Sequence, residues 1–405
     1  MTSLLNLDRF ISKHVTRRGE SLLKADIVAN HQRLTANIEG KSALVIGGAG
    51  TIGSNFIKEL LYFKPAKVVV VDINENGLTE LVRDCRSSSV FTMPNVFITY
   101  PVNMGDPIFN RIVEREGPFD IVANFAAHKH VRSEKDVLSI QAMIENNVFR
   151  AVSLLDLLAK QQPSHFFCVS TDKAANPVNI MGASKKLMED VILAYSEKMK
   201  ITTARFANVA FSNGSLLAGF IERIMKRQPL STPSDVKRFF VSPEESGQIC
   251  LLACILGQSG DILFPRLHPE TDLVNFADIA TDFISYLGME PAICHTENEA
   301  RKMADALTSE SLTYPLYLSP SSTSGEKLYE EFYTDDEELD WDSFKMLGVI
   351  KNAKRRSLTE LSDVISAIKA FFEKDVEKKE VVALLSEILP SFHHIEKEKN
   401  LDQHM

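Results

Sequence analysis

The sequence predicts an α/β protein with a Rossmann-type, doubly wound parallel sheet and a smaller C-terminal α/β lobe. Three observations indicate this fold class. From residue 42 onward, apolar runs of strand length alternate with amphipathic helical segments. The runs are rich in Val and Ile, which is typical of parallel strands buried on both faces. A glycine-rich turn follows the first run directly and opens a helix, as the first βα turn of such sheets does.

Strand-and-helix repeats account for residues 41–210. Strands are expected in SALVIGG, AKVVVVDI, NVFITYPVN, FDIVANFAA, SHFFCVS and ITTARFANV. Helices are expected between them in NFIKELLYF, LTELVRDCR, PIFNRIVERE, residues 140–160 and MGASKKLMEDVILAYSEKM. This unbroken alternation predicts a parallel sheet with helices on both faces.

Four regions divide the chain. Residues 1–40 are expected to form an N-terminal helical arm, and 41–210 a nucleotide-binding Rossmann domain. Residues 211–350 are expected to form a substrate-binding lobe interleaved with that domain, and 351–405 a C-terminal helical extension. An apolar stripe in the arm, which includes Phe10 and Ile11, indicates a packing or dimerisation arm. A membrane-surface helix is the alternative, but the stripe lacks a basic opposite face.

Composition excludes several classes of protein. The 405 residues carry a net charge of −9, whereas a nucleic-acid-binding protein would show a basic face. The longest apolar run, ICLLACILG, is far shorter than the ~20 residues that span a bilayer. The first residues lack the apolar core of a signal peptide. We therefore expect a cytoplasmic protein that neither binds nucleic acid nor inserts into a membrane.

The cysteines also bear on compartment and metal content. The chain contains 5 cysteines, an odd number, scattered along the sequence. Buried free thiols explain this distribution better than disulfides or a metal site. His128 and His130 are not expected to bind a metal either, since no carboxylate or cysteine cluster accompanies them.

The turn VIGGAGTIGS places Gly47, Gly50 and Gly53 at G-x-x-G-x-x-G spacing, with Thr51 and Ile52 opening the helix. Glycine lets the backbone approach a diphosphate, which the free N–H groups and the positive dipole end of the helix then bind. We therefore predict that this turn binds a dinucleotide. A glycine-rich turn formed for packing alone is the alternative.

Polar and small residues at the ends of the next strands extend the predicted cofactor site. Asp72 ends the second strand, where a carboxylate accepts hydrogen bonds from a ribose diol and repels a 2′-phosphate. This favours NAD over NADP; the alternative is that Asp72 caps the following helix. Asn103 is predicted beside the adenine, although a plain turn would also explain it. Ala126 and Ala127, after the fourth strand, are predicted to line the same site.

The fifth strand is followed by Thr171, Asp172 and Lys173, at the edge where open α/β sheets bind ligands. A neighbouring acid and amine can divide the acid and base roles of a reaction between them. A solvated ion pair on a loop explains the same residues equally well. Met181 and Lys185 stand one helical turn apart in the next helix, where Lys185 can reach a ribose hydroxyl.

The chain resembles the extended short-chain dehydrogenase/reductase family, and within it the nucleotide-sugar 4,6-dehydratases that act on UDP-N-acetylglucosamine. The matching segments are GGAGTIGS, AAHKHVRSEKD, NNVF, STDKAANPVNIMGASKK, ARFANVAFSNGSLL, KRFFVSPEESG and SGEKLYEEF, in the family's order over residues 42–335. Other dehydrogenases and epimerases of this superfamily have Tyr at the Met181 position. The resemblance is closest to soluble, Met-bearing enzymes of bacterial legionaminic-type and diamino-sugar pathways.

This resemblance implies roles for the residues after the fifth strand. Thr171 polarises the region of the C4 hydroxyl, and Asp172 protonates the C6 hydroxyl as it leaves. Asp172 is also the residue expected to accept the C4 hydroxyl proton first. Lys173 takes the C5 proton, and Lys185 holds the nicotinamide ribose. Met181 does not imply inactivity, because the Met-bearing members dispense with the Tyr.

The resemblance also implies the substrate, the cofactor and the assembly. Arg238 and Asn208 match contacts to the substrate diphosphate, and Lys129 and His130 border the hexose. The implied product is UDP-4-keto-6-deoxy-N-acetylglucosamine, with retention of configuration at C5. NAD is expected to stay tightly bound and to be recycled, because the hydride taken from C4 returns to C6. The family analogy further implies a homo-oligomer.

Several departures from the family pattern leave alternatives open. Ala207, Phe211 and Asn213 replace residues common in relatives, and Thr323-Ser324 stands where many relatives have Arg-Pro. These changes surround the nucleotide, so GDP-N-acetylglucosamine is an alternative substrate. A nucleotide-sugar epimerase or reductase is a further alternative, although such enzymes normally keep the Tyr. A non-catalytic NAD-sensing protein is the last, but it would leave the Thr-Asp-Lys cluster unexplained.

Overall fold

The computed structural model describes residues 6–320, 327 and 329–395, so that Thr323 and Ser324 lie outside the described residues. The strands are β1 (Ser42–Ile46), β2 (Lys67–Asp72), β3 (Val96–Pro101), β4 (Ile121–Asn124), β5 (His165–Val169), β6 (Ile201–Ala204), β7 (Asn208–Val209), β8 (Leu230–Pro233), β9 (Lys237–Val241), β10 (Ile262–Pro265), β11 (Leu273–Asn275), β12 (Glu290–Cys294), β13 (Thr313–Ser319), β14 (Glu338–Asp340) and β15 (Leu347–Lys351). The helices are α1 (Leu7–Phe10), α2 (Lys24–Ala29), α3 (His31–Ile38), α4 (Thr51–Leu61), α5 (Glu75–Ser87), α6 (Pro107–Glu116), α7 (Val137–Ile144), α8 (Arg150–Leu158), α9 (Ile180–Tyr195), α10 (Leu216–Met225), α11 (Pro243–Leu256), α12 (Pro269–Asp272), α13 (Phe276–Tyr286), α14 (Glu297–Asp305), α15 (Leu358–Phe372) and α16 (Lys378–Ile388).

A nine-stranded sheet with the order β14-β15-β10-β6-β5-β4-β1-β2-β3 forms the centre of the molecule. From β3 to β10 the strands pair in parallel, and the carboxyl ends of β1, β4 and β5 therefore meet at one edge. β15 and β14 continue the sheet antiparallel. Helices cover both faces, each over its own buried apolar cluster. The predicted α/β fold class is thus confirmed.

The sixth predicted strand, ITTARFANV, is wrong as a single element, because the chain leaves the sheet at Arg205. β6 ends at Ala204, whereas β7 joins a separate sheet with β9 and β11. Arg205 is fully buried, and its guanidinium donates to both carboxylate oxygens of Glu189 at 3.0 Å and of Glu337 at 2.8 Å. One buried and one partly buried ion pair thus fix the turn that carries Asn208 into the smaller lobe.

The predicted helix over residues 140–160 also differs in detail. It begins at Val137 and is interrupted by the π-helical turn Glu145–Phe149, which separates α7 from α8. Such single π turns often occur at functional sites because they redirect the side chains of one turn. Here the turn directs Asn146 and Asn147 toward the edge of the sheet.

The smaller lobe contains two three-stranded sheets, with orders β11-β9-β7 and β12-β13-β8, and α10 and α13 pack against them. The central sheet takes β10, β14 and β15 from beyond residue 210. The two parts therefore interleave along the chain. The predicted domain boundaries stay a prediction, because strands from beyond residue 210 belong to the central sheet and no single residue separates the two parts.

The N-terminal arm packs against both parts of the molecule. Phe10 is fully buried in the apolar cluster of the smaller lobe, where its ring contacts Phe211 and Phe283 edge-on. Arg18 binds both carboxylate oxygens of Glu245, the buried residue in the capping box of α11, at 2.9 and 2.8 Å. The arm thereby ties the two lobes together within one chain.

The C-terminal helix α15 packs against α9, and α15 and α16 together extend its apolar cluster. Arg356 donates to Asp190 of α9 at 3.0 Å. Beyond α16, the backbone N–H groups of His393 and Ile395 donate to the carbonyl oxygens of Pro177 and Val178 at 3.1 and 3.0 Å. The extension therefore contacts the loop that joins Lys173 to Met181.

Two further findings concern the membrane and the thiols. Within the ranges that the structure describes, no helix has the length and apolar character needed to cross a membrane. All five cysteines are free and buried, which confirms the prediction from their spacing.

Candidate active site

The glycine turn after β1 has the geometry of a dinucleotide cradle. Gly47 has a φ of 75°, and a Cβ there would lie 2.5 Å from the backbone nitrogen of Ala126. A Cβ on Gly53 would lie 2.5 Å from the Gly47 carbonyl oxygen. α4 begins at Thr51 with Gly50 as its N-cap, and no side chain caps its first N–H groups. These groups therefore fit a diphosphate, and only glycine fits the turn that brings it close.

Asp72 connects β2 to this turn. Its Oδ2 accepts from the backbone nitrogen of Ala49 at 2.9 Å, and its Oδ1 accepts from that of Asn74 at 2.9 Å. The helix cap is Asn74, whose side chain accepts from Gly77 at 2.9 Å. The alternative in which Asp72 caps α5 is thus wrong, and the carboxylate stands beside the glycine turn, where a ribose diol would meet it.

Asn103 forms a plain turn, which was the alternative to a contact with adenine. Its Oδ1 accepts from the backbone nitrogen of Gly105 at 2.9 Å and from Nη1 of Arg150 at 2.7 Å. Arg150 also contacts Asn146 of the π turn at 3.3 Å. These bonds place Asn103 at the sheet edge, and its contact with adenine stays a prediction.

The π turn contributes a residue that sequence reasoning missed. Asn147 accepts from the backbone nitrogen of His128 at 2.8 Å and donates to its carbonyl oxygen at 2.9 Å. Its amide also donates to Ser184 Oγ in α9 at 3.0 Å. Asn147 therefore positions the loop of Ala126, Ala127 and Lys129. The sequence signal for Asn147 was the NNVF segment, which matched the family pattern but was not assigned a function.

A loop from the smaller lobe crosses between the glycine turn and Lys129. The backbone nitrogen of Asn213 donates to Thr51 Oγ1 at 2.9 Å, and the Asn213 carbonyl oxygen accepts from Lys129 Nζ at 2.8 Å. Gly214 follows with a φ of 73°, and a Cβ there would lie 3.1 Å from the His130 ring. We call Phe211–Gly214 the clasp. It joins residues predicted for the cofactor to residues predicted for the hexose.

Thr171, Asp172 and Lys173 form a compact cluster after β5. Thr171 Oγ1 donates to Asp172 Oδ1 at 2.9 Å, and Lys173 Nζ lies 3.0 Å from the same oxygen. Asp172 is 4% exposed and its backbone nitrogen donates to the carbonyl oxygen of Phe206. The alternative of a solvated ion pair is therefore wrong, because the carboxylate lies inside the protein.

A second carboxylate completes this cluster, and sequence reasoning missed it. Glu330 Oε1 lies 3.5 Å from Lys173 Nζ and 3.9 Å from Nη2 of Arg238, and Glu330 is buried. Burial alone would lower the pKa of Lys173, but the Asp172 and Glu330 carboxylates outweigh it and raise that pKa above its ordinary value. Glu330 belongs to the SGEKLYEEF segment, which matched the family pattern although none of its residues was assigned a role.

Arg205 explains why the Glu330 segment lies at the site. Besides its two ion pairs, its Nη1 donates to the carbonyl oxygen of Phe332 at 2.9 Å. Its partner Glu189 also accepts from Ser170 Oγ, next to the Thr-Asp-Lys cluster, at 2.7 Å. Burial would raise the pKa of Glu189, but Arg205 and Lys186 lower it to about 2. One buried guanidinium thus holds α9 and the Glu330 segment together.

Met181 and Lys185 lie on the face of α9 that is turned toward the sheet. Met181 is 3% exposed, and Lys185 Nζ donates to the carbonyl oxygen of Val169 at 3.1 Å. Burial lowers the pKa of Lys185, although Cys168 and Glu189 act in the opposite sense. Lys185 is therefore held at the end of β5, beside the Thr-Asp-Lys cluster.

Arg238 and Asn208 share the small sheet of β7, β9 and β11. Asn208 pairs with Phe240 of β9, two positions from Arg238 on the same strand. Arg238 Nη1 donates to the carbonyl oxygens of Lys237 and Lys327, both at 2.9 Å. The structure thus places Arg238 beside Glu330, and Asn208 on the same small sheet, and their contacts with a diphosphate stay a prediction. In the described part of the chain, no group of His, Cys, Asp and Glu residues is arranged to hold a metal ion.

Comparison with known proteins gives a family match over most of the chain. The model of the polysaccharide biosynthesis protein family matches residues 43–352. An uncharacterized membrane protein of Methanocaldococcus jannaschii is 35% identical over 56% of this chain and 67% of its own length. The inverting UDP-N-acetylglucosamine 4,6-dehydratase of Campylobacter jejuni is 26% identical over 61% of this chain and 73% of its own. The chain spans about half (51%) of the capsular polysaccharide biosynthesis protein CapD of Staphylococcus aureus, at 27% identity over 78% of this chain.

The fold is also similar to that of a solved structure. Pen from Bacillus thuringiensis superposes with a TM-score of 0.62 and 20% sequence identity. The superposition covers 87% of this chain and 98% of Pen. At this identity the likeness concerns the fold, and it extends beyond the central sheet to most of the chain.

Proposed function

The chain belongs to the polysaccharide biosynthesis protein family, and from this premise we propose that it is an NAD-dependent nucleotide-sugar 4,6-dehydratase. The proposed reaction converts UDP-N-acetylglucosamine to UDP-4-keto-6-deoxy-N-acetylglucosamine with retention at C5. One observation carries the proposal. The buried carboxylate of Asp172 and the partly buried amine of Lys173 form an acid–base pair at the carboxyl end of β5, beside Met181, which cannot transfer a proton.

The cofactor would lie along the edge of the sheet. Gly47, Gly50 and Thr51 would hold its diphosphate, Asp72 its adenosine ribose and Lys185 its nicotinamide ribose. When bound there, NAD supplies the reversible hydride transfer of the reaction, taking the C4 hydrogen and returning it to C6. The clasp crosses this edge, which supports a cofactor that stays bound between turnovers.

The protons are assigned to two side chains. Asp172 accepts the C4 hydroxyl proton and later gives it to the C6 hydroxyl, which leaves as water. Lys173 takes the C5 proton, which the neighbouring 4-ketone has made acidic, and returns it to C5. Each group ends in the state in which it began, so no proton is gained or lost over the cycle. Thr171 orients the Asp172 carboxylate by donating to it.

The substrate would span the two lobes. From the smaller lobe, Arg238 and Asn208 would bind the diphosphate, whose two charges suit a guanidinium and an amide. Lys129 and His130 would border the hexose on the other side. The clasp residue Asn213 and its neighbour Phe211 depart from the family pattern close to this path. Because of these departures, GDP-N-acetylglucosamine should be tested as a substrate beside UDP-N-acetylglucosamine.

The reaction is tested by incubating the purified protein with UDP-N-acetylglucosamine in deuterated water, without added cofactor, and following it by NMR and mass spectrometry. We expect the loss of one water, deuterium at C5 and C5 couplings that indicate retention. The Asp172→Asn variant is the matched control and should leave the substrate unchanged. If the wild-type protein does not convert UDP- or GDP-N-acetylglucosamine, even with added NAD, the proposed function is wrong.

Epimerase activity would give a different result in the same experiment. An epimerase would change the configuration at C4 without loss of water, and a sensor protein would release the sugar nucleotide unchanged. The pairing of Lys173 with the buried Asp172 supports dehydration over both, since neither alternative needs an acid and a base placed for elimination across C5 and C6. The oligomeric state remains a prediction; α15 packs on α9 of its own chain.

A further inference from the structure

We propose that Glu330 is the proton acceptor that converts Lys173 into a base: when the substrate diphosphate engages Arg238, the Lys173 ammonium gives one proton to the Glu330 carboxylate, which keeps it during turnover. This inference rests on the proposed function and adds a residue that it does not use. In the transfer, an N–H bond of Lys173 breaks and an O–H bond of Glu330 forms, so that an ion pair becomes a neutral amine and a neutral acid.

The need for a third group follows from counting protons. The proposed reaction removes one proton from the C4 hydroxyl and one from C5, and Asp172 and Lys173 accept them. Lys173 can accept a proton only as a neutral amine. In the structure its two carboxylate neighbours raise its pKa, which favours the ammonium form. Some group must therefore take a proton from Lys173 before C5 can be deprotonated.

Glu330 has the position for this task. Among the described residues, the carboxylates in ion-pair contact with Lys173 Nζ are Asp172 at 3.0 Å and Glu330 at 3.5 Å. Asp172 must remain ionised to receive the C4 hydroxyl proton. Glu330 is 4% exposed, so that a proton on it does not exchange readily with solvent. Glu330 is therefore the carboxylate that remains to accept the Lys173 proton.

Arg238 supplies the link to substrate binding. Its guanidinium lies 3.9 Å from Glu330 and stabilises the negative charge of that carboxylate. A diphosphate bound to Arg238 would compensate the guanidinium charge and exclude water from the cluster. Both changes favour the neutral pair over the ion pair, since burying separated charges is costly. Among the described residues, the charged groups that face Lys173 are Asp172 after β5, Glu330 and Arg238 on β9.

The first test compares kcat against pH for the wild-type protein, Glu330→Gln and Glu330→Asp, with Glu331→Gln as the matched control. Glu331 is the exposed neighbour and contacts Asn176 and Lys327 instead. We expect a nearly flat wild-type profile around neutral pH, because the transfer exchanges no proton with solvent. Glu330→Gln should be at least about 100-fold slower at pH 7, with kcat rising roughly tenfold per pH unit, as expected for an amine that must lose its proton to water.

The conservative Glu330→Asp variant should recover part of the rate and the flat profile, and Glu331→Gln should match the wild type. A purely electrostatic role predicts the opposite shift, because removing a negative charge would make Lys173 a base at lower pH. A purely structural role would lower kcat without changing its pH dependence. Either of these results for Glu330→Gln would overturn the proposal.

The second test needs no turnover. Difference infrared spectra of the protein with and without UDP should show a protonated-carboxyl band in the wild type and in Glu331→Gln. The band should be lost in Glu330→Gln. Its absence from the wild type, or its persistence in Glu330→Gln, would contradict the proposal. Wild-type dehydration of UDP-N-acetylglucosamine is measured separately, so that a failure of the proposed function is distinguished from a failure of the Glu330 assignment.

Discussion

Lys173 Nζ lies 3.0 Å from Asp172 Oδ1, and the two neighbours in sequence share a cluster from which solvent is largely excluded. Consecutive side chains of a strand would point to opposite faces. The 3-10 turn Asp172–Ala174, with Thr171 as its N-cap, instead brings them to the same side. This local geometry makes one amine and one carboxylate available to the same ligand.

Replacing either member of this pair should abolish turnover without removing the cofactor. We expect Asp172→Asn and Lys173→Met each to lower kcat by about 10² to 10⁴, the range typical of a lost general acid or base. The measurement is product formation by NMR, together with the cofactor content and melting temperature of each variant. Lys226→Met, at an exposed position of the smaller lobe, is the control. Normal turnover by both variants would contradict the active-site assignment.

The clasp should control how long the cofactor stays bound. Thr51→Val removes the acceptor of the Asn213 N–H group, and Lys129→Met removes the donor to the Asn213 carbonyl oxygen. A hydrogen bond of this kind contributes about 0.5 to 1.5 kcal/mol, so we expect cofactor release to be roughly threefold to tenfold faster in each variant. Release is measured by the cofactor remaining after gel filtration.

Two comparisons distinguish this effect from damage to the glycine turn. Thr79→Val makes the same chemical change on the exposed face of α5 and should leave retention unaltered. Lys129→Met does not touch the glycine turn, so that faster release only in Thr51→Val would contradict a role for the clasp.

Asn147 should stabilise the loop of Ala126, Ala127 and Lys129, which is proposed to border the nicotinamide and the hexose. Asn147→Ala leaves the backbone N–H and C=O of His128 without their side-chain partner. These hydrogen bonds are partly buried, and a net contribution of about 0.5 to 1.5 kcal/mol each is typical, so we expect the free energy of unfolding to fall by about 1 to 3 kcal/mol. Urea unfolding gives the free energy, and the exposed Asn37→Ala serves as the comparison. Equal stability of the two variants would show that Asn147 does not position the loop.

Glu59 should make the stability of the protein depend on pH. Burial, and then the neighbouring carboxylate of Glu244, raise the pKa of Glu59 from 4.5 to about 8, against a smaller opposing effect of Gln248. Because the folded pKa is the higher one, the folded state holds the proton that the unfolded state has lost. Stability should therefore fall as pH rises from about 4.5 to about 8, by roughly 1.4 kcal/mol per pH unit.

The Glu59→Gln variant tests this origin directly. Gln has nearly the same shape and no proton to lose, so that the part of the slope due to Glu59 should disappear. At pH 7.5 the variant should be more stable than the wild type, as measured by urea unfolding at several pH values. An unchanged slope in Glu59→Gln would place the pH dependence elsewhere.

Much of the fold could be predicted from sequence because its signals are local. The Val-rich run of β2 and the glycines after β1 need only their own neighbours in sequence to be recognised. The same holds for the Thr-Asp-Lys cluster, which directly follows a buried strand. The prediction of secondary structure was wrong where a contact between distant residues outweighs the local hydrophobic pattern. Arg205 interrupts an apparently continuous strand because Glu189 and Glu337, far apart in sequence, both bind it.

The sequence by itself determined the parallel sheet, the glycine turn and the identity of the residues that can transfer protons, because hydrophobic periodicity and side-chain chemistry are properties of single segments. Only the tertiary structure decided that Glu330 lies 3.5 Å from Lys173 and that Asn213 stands between Thr51 and Lys129. Those contacts join segments that are remote in the chain. Their positions depend on buried ion pairs and on the packing of two lobes, which no local pattern encodes.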